Sequence, residues 1–332
     1  MKVRDLKSII IILVYICLNA FVVITSVRMK PGPILTGDVD KASAPEFTEI
    51  ENLDYFHLKS GIPQMSLSAL QMRSHGDELA EFVTPRGVYN SQEQNRTIKY
   101  SAQEALYRKK KDLLNLDGAV VLTTDEAIYN ADKIKFFIKK DLIIGTGNVK
   151  FEGDDLKSKD HLVIHADSMK AKPHAQKSKF SGGVTGSMER KKKYEGKMTF
   201  SSHELLFDGA ASLAQLLGDV QMKRDTYEMS SGKADIHLEN FNKSLKYFVL
   251  NDDVKLTEKL ATPQGISERK AFSERLEGFG REQKMVLSGA PRVEMGKDVI
   301  KGYRITIREN VDLIEVEDAM SDVQVKRKEL KE

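Results

Sequence analysis

An all-β domain of stacked antiparallel hairpins behind a single membrane-spanning helix is the fold this sequence predicts. Three observations predict it: one long apolar run near the amino end, short segments that alternate apolar and polar residues, and a glycine–valine pattern that returns at near-regular intervals.

The helix comes first. Lys2, Arg4 and Lys7 precede an apolar run from Ile9 to Val27, followed by Arg28 and Lys30. At about 1.5 Å per residue, such a run crosses a hydrocarbon core of about 30 Å. A cleaved signal peptide is the competing reading, but its apolar region is usually about 7–15 residues and ends in a small-x-small site. Here the run ends Val23-Ile24-Thr25-Ser26-Val27, and Cys17 follows Ile16 rather than the small residue a lipoprotein signal needs. The expectation is a retained anchor, with residues 1–30 as cytoplasmic amino end and span. The three leading cations favour an amino end in the cytoplasm and a chain exported beyond it.

Residues 31–48, with Pro31, Gly32, Pro33, Gly37 and Pro45, read as a linker. Beyond it the formal net charge of the whole chain, +3 over 332 residues, gives no reason to expect nucleic acid. The only cysteine is Cys17, so the exported part has neither a disulfide nor a cysteine metal site.

The exported part reads as short strands. Ile134, Phe136 and Ile138 share one face at a two-residue period, as do Ile305 and Ile307. A small residue or turn former followed by valine recurs at Arg86-Gly87-Val88, Gly118-Ala119-Val120, Gly147-Asn148-Val149, Gly182-Gly183-Val184, Gly218-Asp219-Val220 and Asp252-Asp253-Val254. Gly289-Ala290-Pro291-Arg292-Val293 is a longer version. Between these lies a second element, at Ala131-Asp132-Lys133-Ile134, Ala166-Asp167-Ser168-Met169, Ser202-His203-Glu204-Leu205 and Ser273-Glu274-Arg275-Leu276, with Asp235-Ile236-His237-Leu238 fitting after a small shift. Each unit is a strand, a turn and a returning strand. A hairpin cannot bury its apolar face alone, so the units must stack, and a folded-over stack encloses an elongated apolar interior. Gln264 to Gln283 has the charge content of a helix, but its place in the repeat argues for strand or loop.

These residues carry a resemblance. A single amino-terminal span followed by G-x-V and A-D-x-hydrophobic hairpins resembles the lipopolysaccharide-export proteins of Gram-negative bacteria. Residues 49–172 resemble LptC, and residues 173–328 resemble the LptA/OstA repeat domain, best seen in Gly218-Asp219-Val220-Gln221-Met222. The departure is length, because an LptC-like protein normally stops after one such domain. The resemblance implies a twisted, incompletely closed antiparallel β-jellyroll, or β-taco, with lipopolysaccharide acyl chains in its groove. It also implies the partners: lipopolysaccharide itself, an inner-membrane ABC transporter that supplies it, and an LptA-like or outer-membrane translocon component at the carboxyl-terminal edge strand. No cofactor is implied.

The inward positions expected to line that groove are Ile134, Phe136, Ile138, Val149, Phe151, Val220, Met222, Ile236, Leu238, Val254, Leu256, Val293, Ile305 and Ile307. Alternation sets a face and not its contents, so a closed core without lipid is the alternative reading of the same residues. Met65 to Met72 is the expected edge toward the transporter, and Leu313 to Val325 the edge toward the next protein. The basic tips Arg108–Lys111 and Arg190–Lys193 read as solvated turns. The seven histidines are scattered, and no G-x-S-x-G, H-E-x-x-H or P-loop is present, so neither a metal site nor catalysis is expected. A membrane-anchored β-solenoid scaffold or adhesin with a closed core is the competing function. A β-helix carbohydrate-active enzyme would need clustered carboxylates on one face.

Overall fold

The computed structural model describes residues 48–59, 61–76, 78–91, 96–124, 127–154, 161–189, 197–224, 227–239, 244–262, 265–308 and 313–322. The expected anchor and all but the last residue of the expected linker lie outside them, as does the tip Arg190–Lys193. Among the described residues no helix is long and apolar enough to cross a membrane.

All described strands belong to one antiparallel sheet. The first are β1 (Thr48–Lys59), β2 (Ile62–His75), β3 (Leu79–Val83), β4 (Arg86–Ser91), β5 (Arg96–Ser101), β6 (Glu104–Arg108), β7 (Leu113–Thr123) and β8 (Ala127–Phe137). Then come β9 (Leu142–Asp154), β10 (His161–Lys172), β11 (Lys177–Glu189), β12 (Met198–Asp208), β13 (Leu213–Arg224), β14 (Tyr227–Glu239), β15 (Ser244–Thr262) and β16 (Gly265–Phe279). The stack ends with β17 (Lys284–Ser288), β18 (Arg292–Met295), β19 (Asp298–Lys301), β20 (Arg304–Arg308), β21 (Ile314–Glu317) and β22 (Met320–Asp322). From β7 to β16 each strand pairs with the next. The stretch that looked helical is strand β16. The sheet runs without interruption through Lys170 to Lys179, where Pro173–Gln176 is the turn of the β10–β11 hairpin.

The glycine–valine pattern marks where the long strands fold over. Gly118-Ala119, Gly147-Asn148, Gly182-Gly183, Gly218-Asp219, Asp252-Asp253 and Gly289-Ala290 each place two consecutive residues at positive φ. The first five pairs oppose a single residue of a neighbouring strand, successively Asp132, Asp167, His203, Gly232 and Glu274, and the ladder register slips there. Such bulges bend the strands that carry them. Repeated up the stack, they divide the sheet into two leaves that meet at a common corner. The first leaf holds β3, β6, β17, β20 and β21 with one half of each long strand. The second holds β4, β5, β18, β19 and β22 with the other halves.

Local chemistry explains the corner residues. Gly147 sits at φ +75°, and a Cβ there would fall 2.3 Å from Oδ2 of Asp132, so both the backbone and the facing side chain require glycine. Asp252 reverses the arrangement. An aspartate occupies the left-handed position, which its short side chain tolerates, and the facing residue is Gly232, whose added Cβ would lie 2.9 Å from Asp252 Cβ. On the inner side of the corner the residues are small: Ala131, Ala166, Ser202, Ser231 and Ser273, all buried. The three serine hydroxyls donate to the carbonyls of Glu204, Lys233 and Arg275 at 2.9–3.0 Å, so none is left unsatisfied.

Two members of the sequence repeat and one expected edge are corrected. Gly87 is not a corner: the strand turns at Thr84-Pro85, with Thr84 at φ +47° and its N–H donating to Gln103 O, and Gly87 is bare because the Tyr100 ring lies over it. The corner of β14 is Ser231-Gly232 and not the Asp235 segment. Met65 to Met72 is not an edge, because β2 is covered by β1 on one side and by β3 and β4 on the other. The edge at that end is β1. Its alternation is interrupted at Asn52, which has φ +52° and changes which residues face inward, with Leu53 and Tyr55 packing on the core.

Candidate functional site: the interior between the two leaves

The inner faces of the two leaves share one apolar cluster that runs from Leu67 near the start of the stack to Ile307 near its end. Of the expected inward residues, Ile134, Phe136, Ile236, Leu238, Ile305 and Ile307 lie on first-leaf strands, and Ile138 lies in the 3-10 turn that follows β8. Val149, Phe151, Val220, Met222, Val254, Leu256 and Val293 lie on the second leaf. All but Leu238 belong to the cluster or pack against it. Ile138, Phe151, Ile236 and Leu238 are half-buried and the rest are buried, with Ile134, Val293 and Ile305 at 0% exposure. Except at Val88, the valine that ends each glycine–valine element is the first inward residue past the corner, and Val120, Val149, Val184, Val220, Val254 and Val293 are all buried.

Contacts across the interior hold the leaves together. Tyr89 on the second leaf meets Phe136 on the first edge to face, with ring centroids 5.1 Å apart. Phe151 on the second leaf approaches Phe180 on the first at 6.0 Å, and Tyr129 extends this cluster along the second leaf. Tyr89, Tyr129 and Phe180 escaped sequence reasoning, although each sits at an alternating position. Near the carboxyl-terminal end a buried ion pair of the second leaf reaches the first leaf through a hydrogen bond. Arg269 on β16 and Glu258 on β15 are direct cross-strand partners, both side chains at 0% exposure. Arg269 Nε donates to Glu258 Oε2 at 3.1 Å, and its Nη2 donates to the same oxygen and, at 2.9 Å, to the carbonyl of Arg308 on the opposite leaf. Sequence reasoning missed this pair because β16 inverts the usual pattern at its start: Ile266 is 82% exposed while Arg269 points inward.

Two tyrosines add polar anchors to the wall. The Tyr100 hydroxyl donates to Ser66 O at 3.0 Å, and the Tyr107 hydroxyl donates to Asp112 Oδ1 at 3.2 Å. Burial pushes both phenols well above the ordinary tyrosine range, and at Tyr107 the Asp112 carboxylate adds to the effect.

Among the described residues the stack presents an unpaired strand edge at each end: β1 bonds only to β2, β21 only to β20, and β22 only to β19. The late segment expected as an edge therefore lies on one. Of the two basic tips, Lys109–Lys111 forms a 3-10 turn in which Lys110 pairs with Glu78.

A family model described as lipopolysaccharide-assembly, LptC-related matches residues 10–189, more than half of the chain. The chain belongs to the LptC-related family. In this LptC-related protein a second model, the LptA/(LptD N-terminal domain) LPS transport protein, matches residues 200–312. The two matches together cover nearly all of the described sheet. Both families are transport families and not enzyme families. No curated protein matches the chain. Among solved structures it is similar to LptH from Pseudomonas aeruginosa, the LptA homologous periplasmic component of a lipopolysaccharide transport device. The identity is 12% and the TM-score 0.35, over 39% of this chain and 95% of that one.

Proposed function

We propose that this protein is a non-enzymatic conduit, anchored in the inner membrane, that accepts lipopolysaccharide from an ABC transporter and passes it toward the outer membrane. In this reading residues 1–30 are the cytoplasmic end and anchor, and 31–48 the linker. Residues 49–172 form the LptC-like part and 173–328 the LptA/OstA-like part, both in the periplasm. The observation that carries the reading is the single apolar interior that joins both parts with no buried charged side chain until Glu258 and Arg269. Each methylene of an acyl chain kept from water contributes about 0.8 kcal/mol, so a chain of about a dozen methylenes needs roughly 10 kcal/mol of shelter along its route. Loading requires the leaves to part, since Phe136 and Ile305 are covered when they meet. The β1 edge faces the supply side. The β21–β22 edge receives a strand of an LptA-like or outer-membrane component by β-augmentation.

A closed scaffold or adhesin is the second reading, favoured by the complete burial of Ile134 and Ile305. Photo-crosslinking in the native membrane separates the two. A photoreactive residue is placed in turn at Phe136, Phe151 and Ile236. Lipopolysaccharide adducts at all three positions are expected of a conduit. A folded protein with reactive probes and no lipid adduct at any of them would favour the scaffold.

A further inference from the structure

We propose that the outer face of the second leaf, over β2, β4, β5 and β7, is a binding site for an anionic sugar: a saccharide that carries a phosphate or a carboxylate. A shallow, open hollow of about 390 Å³ lies there. It is on the opposite side of the sheet from the lipid interior. Leu67, Tyr100 and Leu122 of these strands are buried in the core, so their sequence neighbours face outward.

Register places the outward side chains in two rows. One row runs Phe56, Ser66, Val88, Lys99, Thr123; the other runs Asp54, Ser68, Arg86, Ser101, Val121. Arg86 and Lys99 are therefore diagonal neighbours on adjacent strands, a spacing of about 7–8 Å between backbone positions that both long side chains can bridge to a single anion. Neither has a hydrogen-bond or ion-pair partner among the described residues. Several other outward cations of the stack do, among them Lys133 with Asp117 at 2.7 Å, Lys177 with Asp208 at 2.8 Å and Lys179 with Glu204 at 2.6 Å. The nearby carboxylate of Asp54 accepts a hydrogen bond from the Ser68 hydroxyl at 2.6 Å. Two like charges held side by side with no direct ion-pair partner favour an anion between them.

The remaining groups select a sugar over a bare anion. The hydroxyls of Ser66, Ser101 and Thr123 line the cleft and can exchange hydrogen bonds with ring hydroxyls, while Val88 and Val121 supply an apolar floor. Phe56 is paired with Ser66 and is 60% exposed, placing an aromatic ring beside the cleft where the C–H face of a pyranose can stack. Because the cleft and the interior lie on opposite faces, sugar binding does not compete with acyl chains, and the assignment does not depend on the conduit reading.

Saturation-transfer NMR on the full chain in detergent micelles tests it, with glucose 1-phosphate, galacturonate, glucose and inorganic phosphate as separate probes. Transfer to the ring protons of glucose 1-phosphate, galacturonate or both, and not to glucose, is expected. A response to the first alone identifies a phosphosugar source, and to the second alone a uronic-acid source. The Arg86→Ser/Lys99→Ser variant should weaken binding by at least about tenfold, and Phe56→Ala should reduce transfer to the ring protons, with near-UV dichroism unchanged. Transfer to glucose equal to that of the charged sugars, displacement by inorganic phosphate at the sugar's own concentration, no transfer to any sugar, or unaltered binding by the folded double variant would overturn the assignment.

Discussion

Replacing Arg269 by methionine removes a buried ion pair of the second leaf, together with the hydrogen bond Arg269 makes to the opposite leaf, and leaves Glu258 behind. Glu258 at 0% exposure loses its counter-charge, and the Arg308 carbonyl loses a 2.9 Å donor from the opposite leaf. Breaking a buried pair by removing one member costs about 3–5 kcal/mol, because the survivor stays desolvated and unpaired. Glu258→Leu alone should cost a similar amount. The double variant Glu258→Leu/Arg269→Met replaces the pair with apolar volume, and such exchanges are often neutral or stabilising, so it should fall within about 1 kcal/mol of the parent. A stack of units that touch only their neighbours does not unfold as one block, so a single denaturation midpoint is the wrong readout. Hydrogen exchange followed by mass spectrometry reports each segment separately. The single variants should speed exchange in peptides from β15, β16, β18 and β20 and leave β7–β9 unchanged, and the double variant should restore protection. Loss of protection in the double variant equal to that in the singles would refute the view that the cost comes from an orphaned charge. Equal loss in β7–β9 would refute the local character of the tie.

The corner chemistry makes a compensation test. Gly232→Asp alone should destabilise by about 1–3 kcal/mol through crowding against Asp252, and adding Asp252→Gly should recover most of it, as read by exchange protection in β14 and β15. Failure of the second change to restore protection would sink the exchange of roles proposed for that corner. Alkaline pH provides another. The folded protein holds the Tyr100 and Tyr107 protons where the unfolded chain releases them near pH 10, so the unfolded state binds fewer protons there and stability falls as pH rises from about 10. Limited proteolysis in urea from pH 8 to 11, followed by mass spectrometry of β2–β7 peptides, should show protection declining less steeply in Tyr100→Phe/Tyr107→Phe; identical declines would remove the two phenols from the account.

What the sequence determined by itself is the all-β class, the hairpin repeat and the inward set. Alternation at Ile134, Phe136, Ile305 and Ile307 is dictated by the strand period, so burial followed from residue order alone. The glycine–valine elements were visible as a repeat, and all of their valines but Val88 are the inward residues past a corner. Their meaning as corners was not visible, since positive φ and a facing Asp132 or Gly232 are properties of two strands at once. Tertiary structure alone decided which strands are neighbours, and with them three features a linear reading could not supply. β1 is the edge and not β2, because the turn at Asn52 interrupts the alternation that would have revealed it. Arg269 points inward, because its partner Glu258 and the Arg308 carbonyl come from other strands and together satisfy a guanidinium that sequence patterning assigns to solvent. Arg86 and Lys99 stand side by side, thirteen residues apart in sequence, only because β4 and β5 pair in one register. A strand period encodes which face a side chain takes; hydrogen-bonded pairing encodes whom it meets there.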